Sequence, residues 1–419
     1  MSVWREYFGF LNLRKFKDYF AKGQMDYLFL GIVLILLTVG FTMMASASYS
    51  VSMTDAKTGY DPYYYMKRQL LFALIGLAIM VFISKLKYDV FRDFAFFVFL
   101  VSFILLIVVL VSYVELVDKP DIKRWLSVPF VGQFQPSEVA KLGLILFFAW
   151  DMERNRKRVE KSAKLTLLYG SIIFVMCVLV FKENHLSGTV LMLSIGCVMV
   201  YLGGVRLRWV ILVGGALLLI AAGVLTVMWL VVHEPEKASA LLPERVAAWG
   251  QEGAKVPYMI KRIISWLDKG FEPLGARWQT NQSLFALGSG GLTGKGFGNS
   301  LQKHGFSPEA QNDFIFAIVG EELGFIGALL IVGGFLALIF RGFQIAVKAN
   351  NRFSNLMVMG IVFQLGLQTA LSIAVVTDTV PNTGIGLPFF SYGGSSLVII
   401  LAEMGMVLSV SRDVKLPKG

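Results

Sequence analysis

The sequence predicts an all-α fold: a polytopic membrane protein of ten transmembrane helices with a large extracellular loop between helices 7 and 8. Three observations lead to this prediction. Only 16% of the 419 residues are charged and 56% are hydrophobic, whereas a soluble domain carries roughly 25% charged residues. Apolar runs of about 20 residues, long enough to cross a bilayer, recur along the chain. Lysine and arginine collect in alternate connections between these runs, as they do in cytoplasmic loops.

Ten apolar runs are the expected spans, and they cover residues 27–47, 70–84, 94–113, 139–150, 165–181, 188–202, 209–232, 314–340, 353–376 and 395–410. The fourth has the weakest apolar signal, because Gln135, Glu138 and Lys141 crowd its start. The basic residues support keeping it. With the N-terminus inside, the inner segments hold 22 lysines and arginines, and the short outer loops hold 7. This imbalance predicts a multi-pass protein with both termini in the cytoplasm.

The chain divides into a short N-terminal segment and one membrane domain. Residues 1–26 combine Arg14, Lys15 and Lys17 with Phe8 and Phe16, a pattern typical of a helix that lies in the membrane interface. We expect this segment on the cytoplasmic side, followed by a single membrane domain over 27–419. Within that domain, residues 233–312 form the large outer loop, and loops of this length are usually functional.

Composition and spacing argue against several classes of site. The net charge of +11 does not indicate a nucleic-acid-binding protein, because the basic residues mark cytoplasmic loops. Cys177 and Cys197 both fall in expected spans, and the three histidines show no metal-ligand spacing, so we assign no metal site. The glycine-rich run 288–298 resembles a phosphate loop but lacks its full pattern, since Ser289 and Gly296 stand at key positions. We expect a flexible loop that closes over a substrate there.

Polar sequence rich in glycine and proline precedes the second, fourth and tenth expected spans, always on the outer side. The three segments read DPYYYMKR, RWLSVPFVGQFQPSE and PNTGIGLPFFSYGGSS. At membrane depth, irregular backbone persists only when it is buried in protein or lines a cavity. The sequence therefore predicts a cavity that faces outward.

Three acids cluster around the start of the eighth expected span. Asp313 stands at the last position before it. This residue could cap the helix that follows, which Asp does well, or act as a general base at the floor of the outer cavity; the local pattern leaves both interpretations open. Glu321 and Glu322 lie about two turns deeper, where carboxylates are costly. We expect them to support the structure, with a proton relay as the alternative.

Other charged residues near the outer loops are candidates for binding or support. Glu138 and Lys141 are three residues apart at the start of the fourth span, which predicts an ion pair. In apolar surroundings this pair would hold the preceding loop in place. Arg124 in that loop and Lys303 ahead of Asp313 could contact an anion.

Five motifs, in order over nearly the whole chain, resemble the SEDS proteins (shape, elongation, division and sporulation). They are MMASASYS, KRWLSVPFVGQFQPSEVAKL, RIISWLDKGFEPLGARWQTNQSLFALGSGGLTGKGFGNS, PEAQNDFIFAIVGEELG and PNTGIGLPFFSYGGSSL. The last two look closer to the FtsW/SpoVE branch of this family than to RodA. One stretch departs from the family pattern. Where many members read Q-P-D-L-G-T, residues 183–189 read ENHLSGT, so no role is carried over from that aspartate.

The resemblance implies a peptidoglycan glycosyltransferase in the bacterial plasma membrane that polymerises lipid II during cell division. The family's essential aspartate corresponds to Asp313, and its Gln-Pro-x-Glu motif to Gln135, Pro136 and Glu138. Arg124, Arg262 and Lys303 are candidates for holding the pyrophosphate. The full set of expected substrate-binding residues is Arg124, Glu138, Lys141, Arg262, Gln279, Gln282, Ser283, Lys303, Ser391 and Tyr392.

Partners follow from the same resemblance. They are a class B penicillin-binding protein, which is a transpeptidase with one membrane span, and other membrane proteins of the division complex. No cofactor is assigned, and a divalent cation is compatible with the sequence. Three alternatives stay open: a transporter that flips lipid II, a polymerase of elongation or sporulation (RodA- or SpoVE-like), and a non-catalytic scaffold that recruits the transpeptidase.

Overall fold

Long helices make up most of the protein, together with a small β-hairpin. The computed structural model describes residues 19–111, 124–128, 132–160, 162–250, 256–270, 275, 277–304 and 310–414. Strands β1 (Leu126–Val128) and β2 (Gly132–Phe134) pair antiparallel, with Leu126 opposite Phe134. The helices are α1 (Tyr27–Thr54), α2 (Tyr64–Lys85), α3 (Tyr88–Val111), α4 (Pro136–Arg154), α5 (Arg156–Val159), α6 (Ala163–Lys182), α7 (Leu186–Leu202), α8 (Leu207–His233), α9 (Pro235–Leu241), α10 (Glu244–Ala247), α11 (Tyr258–Leu267), α12 (Trp278–Gly290), α13 (Ile315–Val347), α14 (Arg352–Val376) and α15 (Gly394–Ser411).

The apolar helices agree with the predicted membrane fold. Within the described ranges, seven helices are long and apolar enough to cross a bilayer: α1, α2, α3, α6, α13, α14 and α15. The predicted spans 139–150, 188–202 and 209–232 also fall on helices, namely α4, α7 and α8. The polytopic helical fold is therefore confirmed, while the count of ten stays a prediction. Most of the predicted interfacial segment 1–26 lies outside the described residues, which begin at Tyr19.

Helix α4 lies inside the bundle, which explains the weak apolar signal of the fourth span. It packs against α3, α7, α14 and α15. Ala140, Leu144, Ile145 and Phe148 are fully buried. Because neighbouring helices cover α4, its polar side chains can pair with polar groups of those helices instead of facing lipid.

Four segments that the topology predicts to lie inside meet at one end of the bundle. Ahead of α1, Asp26 forms an ion pair with Arg341 near the end of α13, 2.8 Å away. Arg412, just after α15, donates to the carbonyl of Gly23 (2.8 Å) and to that of Ser84 near the end of α2 (2.6 Å). The structure thus groups these ends on one side, as the even number of predicted crossings between them requires.

The large outer loop is folded and fastened to the bundle. The predicted amphipathic segment 257–267 forms helix α11. Arg277, which is 3% exposed, forms an ion pair with Asp378 and donates to the carbonyl of Ser265. The indole of Trp266 donates to the carbonyl of Asp378 (3.0 Å). These contacts hold α11 and the start of α12 against the segment that follows α14.

Helix α13 is interrupted at Gly324, where the glycine-rich loop after α12 joins it. Gly324 has a φ of +68°, which only glycine adopts readily. A Cβ at this position would lie 2.6 Å from the carbonyl oxygen of Leu292. The amides of Phe325 and Ile326 donate to the carbonyls of Gly291 (2.9 Å) and Leu292 (3.1 Å). The loop therefore satisfies backbone groups that the interrupted helix leaves open at membrane depth.

The two glutamates above this interruption bind the same loop. Glu321 pairs with Lys295 (2.7 Å) and Glu322 with Lys303 (2.9 Å). The hydroxyl of Ser46 on α1 donates to Glu322 (2.8 Å). Both glutamates are fully buried, so each ion pair offsets a charge that would be costly alone. These contacts support the predicted structural role. They also correct the expectation of a flexible loop at 288–298, because this run is held against α13.

Candidate functional site

A cavity of about 350 Å³ lies between the outer loops and the helix bundle. Its walls come from the β-hairpin, α4, α7, α11, α12, α14, α15 and the segment 384–393. Eight of the predicted site residues line it: Arg124, Glu138, Lys141, Arg262, Gln279, Asp313, Ser391 and Tyr392. Two of the three turn-rich segments thus contribute to one cavity, at the end of the bundle that the topology places outside.

Asp313 meets two arginines at a single glycine of the cavity wall. Gly384 has a φ of +69°. A Cβ built on it would lie 3.1 Å from Oδ2 of Asp313, 3.5 Å from Nη1 of Arg124 and 3.8 Å from Nη1 of Arg262. A carboxylate and two guanidinium groups therefore converge on one point, and a glycine leaves them room to do so.

Both arginines are held by groups of the outer loops. Nη1 of Arg262 donates to the backbone carbonyl (2.8 Å) and the side-chain oxygen (2.7 Å) of Asn382, and its guanidinium lies 4.7 Å from the centre of the Tyr258 ring. Burial lowers the pKa of Arg124, while Tyr258 and Asp313 oppose that shift. An arginine stays protonated through such shifts, so the site presents two cations beside one carboxylate.

A buried ion pair lies at the floor of the cavity. Nζ of Lys141 is 2.9 Å from Oε1 of Glu138, as their spacing predicts. The same ammonium donates to Oε1 of Gln368 on α14 (3.1 Å), and the hydroxyl of Ser396 on α15 donates to Glu138 (3.2 Å). The pair thus joins three helices below the site, while its predicted role in holding the loop before α4 stays a prediction.

The segment 384–393 is fastened to the chain just before Asp313. The hydroxyl of Ser391 donates to the carbonyl of Asn312 (2.7 Å) and accepts from the amide of Leu387 (2.7 Å). The amide of Tyr392 donates to the carbonyl of Gln311 (2.8 Å). Ser391 and Tyr392 therefore position the backbone that carries Asp313, besides lining the cavity.

Three predicted substrate-binding residues do not line the cavity. Gln282 and Ser283 lie on the buried face of α12, where the Ser283 hydroxyl donates to a carbonyl of α14 (2.9 Å). Lys303 is 4% exposed and its ammonium is bonded to Glu322, so its charge offsets that of a buried acid. Of the three residues predicted on α12, the structure brings Gln279 alone to the cavity. The assignment of Lys303 to a pyrophosphate is not supported by this geometry.

The capping interpretation of Asp313 does not fit the helix start. Helix α13 begins at Ile315, and Phe314 occupies the N-cap position without a side-chain cap hydrogen bond. Asp313 therefore precedes the capping position, and its Oδ2 faces Gly384. This geometry favours the other interpretation, a carboxylate directed to the cavity.

The sequence did not predict several residues of the site. Tyr258, Gln368, Gly384 and Asn382 contribute to it or hold its arginines. Gln368 carries a detectable signal, since it is a polar residue within an apolar span. Gly384 lies in a run of turn residues, but which glycine meets a charged group depends on contacts distant in sequence.

Across the described ranges, no group of three or more His, Cys, Asp or Glu side chains is arranged to hold a metal ion. A divalent cation therefore has no site made of such ligands alone in that part of the chain.

Comparisons with known proteins agree with the motifs. The family model FTSW_RODA_SPOVE, described as a cell cycle protein, matches residues 26–416. Stage V sporulation protein E of Bacillus subtilis is 36% identical over 398 residues, which cover 93% of this chain and 98% of that protein. The probable peptidoglycan glycosyltransferase FtsW of Trichlorobacter lovleyi is 32% identical, with 95% of this chain and 96% of that protein covered.

Solved structures show the same fold. A chain of a peptidoglycan synthase complex, described as coordinating polymerization and crosslinking, superposes with a TM-score of 0.68 at 25% identity and covers 93% of this chain and 98% of its own length. The rod shape determining protein RodA of Thermus thermophilus gives 0.62 at 25% identity, with 94% and 98% covered. The predicted resemblance is confirmed, and the chain belongs to the FtsW/RodA/SpoVE family of cell cycle proteins.

Proposed function

We propose that this protein is a peptidoglycan glycosyltransferase that polymerises lipid II, with Asp313 as its catalytic base. The observation that carries the proposal is the convergence of Asp313, Arg124 and Arg262 on Gly384 in a membrane-domain cavity. Relatives that are 32% and 34% identical are named probable peptidoglycan glycosyltransferases. The motifs that hold these residues are those by which the chain resembles the family.

In this proposal one sugar hydroxyl attacks one lipid-linked sugar. The 4-hydroxyl of the acceptor's terminal N-acetylglucosamine attacks the anomeric carbon of the donor, and the bond to the lipid pyrophosphate breaks. The hydroxyl proton passes to the carboxylate of Asp313. A positioned general base of this kind contributes roughly 10²–10⁴-fold. Because pyrophosphate leaves readily as an anion, no second carboxylic acid is needed, unlike in glycoside hydrolases.

Arg124 and Arg262 are placed to bind the pyrophosphate leaving group. Two guanidinium groups beside the base can bind a pyrophosphate through charge-assisted hydrogen bonds. Preorganised cations that face developing negative charge are typically a large contribution to catalysis. Arg124 and Arg262 are held by backbone and side-chain groups of the outer loops before any substrate arrives, which fits such preorganisation.

The assay that tests the proposal is polymerisation of purified lipid II by the detergent-solubilised protein with its partner. We expect Asp313→Asn to reduce the rate at least about 10²-fold, since the amide cannot accept the proton. Asp61→Asn is the control, because Asp61 is an outer-loop acid paired with the exposed Lys67. A parental rate for Asp313→Asn would contradict the catalytic assignment and favour a transporter or a scaffold.

A crosslinking partner is part of the proposal. A similar chain belongs to a peptidoglycan synthase complex that combines polymerization with crosslinking. We infer that this protein likewise works with a class B penicillin-binding protein, together with other membrane proteins of the division complex. Co-purification from cells and a rate of lipid II polymerisation that rises when the transpeptidase is added would support this; an unchanged rate together with no co-purification would contradict it.

The biological process is proposed to be cell division. The FtsW relatives support this assignment, while the similarity to stage V sporulation protein E keeps sporulation as the second candidate. Depletion of the protein in growing cells separates them. Filamentation is expected for a division enzyme, whereas normal growth with a block in sporulation would indicate the second role.

A further inference from the structure

Glu183, between α6 and α7, is a buried acid whose carboxyl oxygens accept no hydrogen bond from the described part of the chain. Its side chain is 0% exposed. Neither carboxyl oxygen finds a donor among the described residues. Burying a polar group without such a bond costs free energy, and native proteins rarely leave one in that state without a reason.

The charged group that interacts with Glu183 is Arg124 of the cavity. Nη2 of Arg124 donates to the carbonyl of Asn184, the residue after Glu183. The Arg124 guanidinium interacts electrostatically with Glu183 and also with Asp313. Its Nε is buried and, within the described residues, likewise has no hydrogen-bond partner. Arg124 therefore extends from the buried turn that carries Glu183 to the point where Asp313 meets Gly384.

The turn is uncharged near neutral pH. Burial raises the pKa of Glu183 to about 8, although Arg124 opposes the shift. Burial also lowers the pKa of His185 well below its usual range, and Arg124 and Lys141 act in the same direction. The other titratable or charged groups that interact with Arg124 are Tyr258 and Arg262 on α11 and Asp313 in the segment before α13.

We propose that Glu183 is a positioning residue for Arg124: buried beside the turn to which Arg124 donates, it leaves the guanidinium charge free for the donor pyrophosphate. The proposal rests on the glycosyltransferase function argued above. An ionised carboxylate at the same place would compete with the pyrophosphate for the same cation. A neutral acid fills the space and can still donate or accept one hydrogen bond.

Kinetics across pH test this role. For the wild-type protein with its partner, we expect the KM for lipid II to rise above pH 8, by up to about tenfold per pH unit, because each unit above the pKa reduces the neutral form about tenfold. We expect kcat to change less, since Glu183 acts on binding through Arg124. Glu183→Gln keeps a neutral side chain of similar shape and should show no alkaline rise of KM. Glu183→Ala should raise KM at every pH, because Arg124 loses its support.

Controls and a second readout keep the proposal falsifiable. Glu236→Gln, at an exposed acid of α9, should keep the wild-type pH profile. An alkaline rise of KM that persists in Glu183→Gln would overturn the proposal, as would a KM of Glu183→Gln that matches Glu183→Ala at neutral pH. The infrared spectrum of wild type minus that of Glu183→Gln, both at neutral pH, should contain a carboxylic acid C=O band. The absence of this band would also overturn the proposal. A wild-type protein that shows the band but does not polymerise lipid II would refute the proposed function instead.

Discussion

Replacing Gly384 with alanine should greatly slow lipid II polymerisation while leaving the protein folded. The change adds one methyl group at the point where Asp313, Arg124 and Arg262 meet. That methyl would lie 3.1 Å from Oδ2 of Asp313 and 3.5 Å from Nη1 of Arg124. A carbon at 3.1 Å from an oxygen is closer than ordinary contact, so the carboxylate or the backbone must shift.

Two magnitudes follow from this geometry. Gly384 has a φ of +69°, and a residue with a Cβ in that region is strained by about 1–2 kcal/mol. This cost reduces stability but does not unfold a protein of ordinary stability. The rate is more sensitive, because a misplacement of about 1 Å at a catalytic group can cost on the order of 10²-fold. We therefore expect a loss of about 10²-fold in lipid II polymerisation with a small decrease in thermal stability.

Gly59 provides the matched control for the strain. It lies in the outer connection between α1 and α2 with a φ of +64°, and a Cβ there would meet no atom of the described residues within 4 Å. Gly59→Ala should lose similar stability and keep the parental rate. If Gly384→Ala also polymerised lipid II at the parental rate while showing the same decrease in melting temperature, the catalytic geometry around Asp313 would be refuted.

The remaining predictions concern buried charges and loop anchors. Lys303→Met leaves Glu322 buried without its ion-pair partner and should cost about 3–5 kcal/mol of stability; adding Glu322→Gln should restore much of the melting temperature, and no restoration would argue against the pairing. Arg277→Ala removes the ion pair with Asp378 and should raise the KM for lipid II more than it lowers kcat, which steady-state kinetics would reveal. The free energy of unfolding should fall as pH rises from 4.5 to about 8, because the folded state keeps the Glu183 proton that the unfolded state releases. This contribution has a slope of at most about 1.4 kcal/mol per pH unit. Denaturation of Glu183→Gln, measured over the same pH range, should lack this contribution.

The helices were predictable because hydropathy is a local property. Runs of apolar residues located each long helix of the described residues, although the ends differ: the first predicted span, 27–47, belongs to a helix that continues to Thr54. Such extensions contain polar residues, for example Ser50 and Ser52, that are buried by protein rather than by lipid. Hydropathy alone does not distinguish these two environments.

The site was predictable only where one residue carries its own signal. Asp313 stood out because an acid at a membrane boundary needs a reason. The partner of Lys303 is Glu322, which lies 19 residues further along the chain. In sequence, a lysine that pairs with a buried acid looks the same as one that could bind substrate. Asp313 and Gly384 lie side by side although they are 71 positions apart in sequence, so no local pattern indicates their proximity.

The interruption of α13 at Gly324 restricts how the outer loop can be exchanged between relatives. The amides of Lys295 and Gly296 donate to the carbonyls of Glu321 and Glu322, and a Cβ on Gly294 would lie 2.2 Å from the latter carbonyl oxygen. Residues 290–296 and 320–326 thus form one hydrogen-bonded unit although a long stretch of chain separates them. A chimera that takes the loop from another member must take both segments together, and an insertion in either one should disturb the backbone that leads to Asp313.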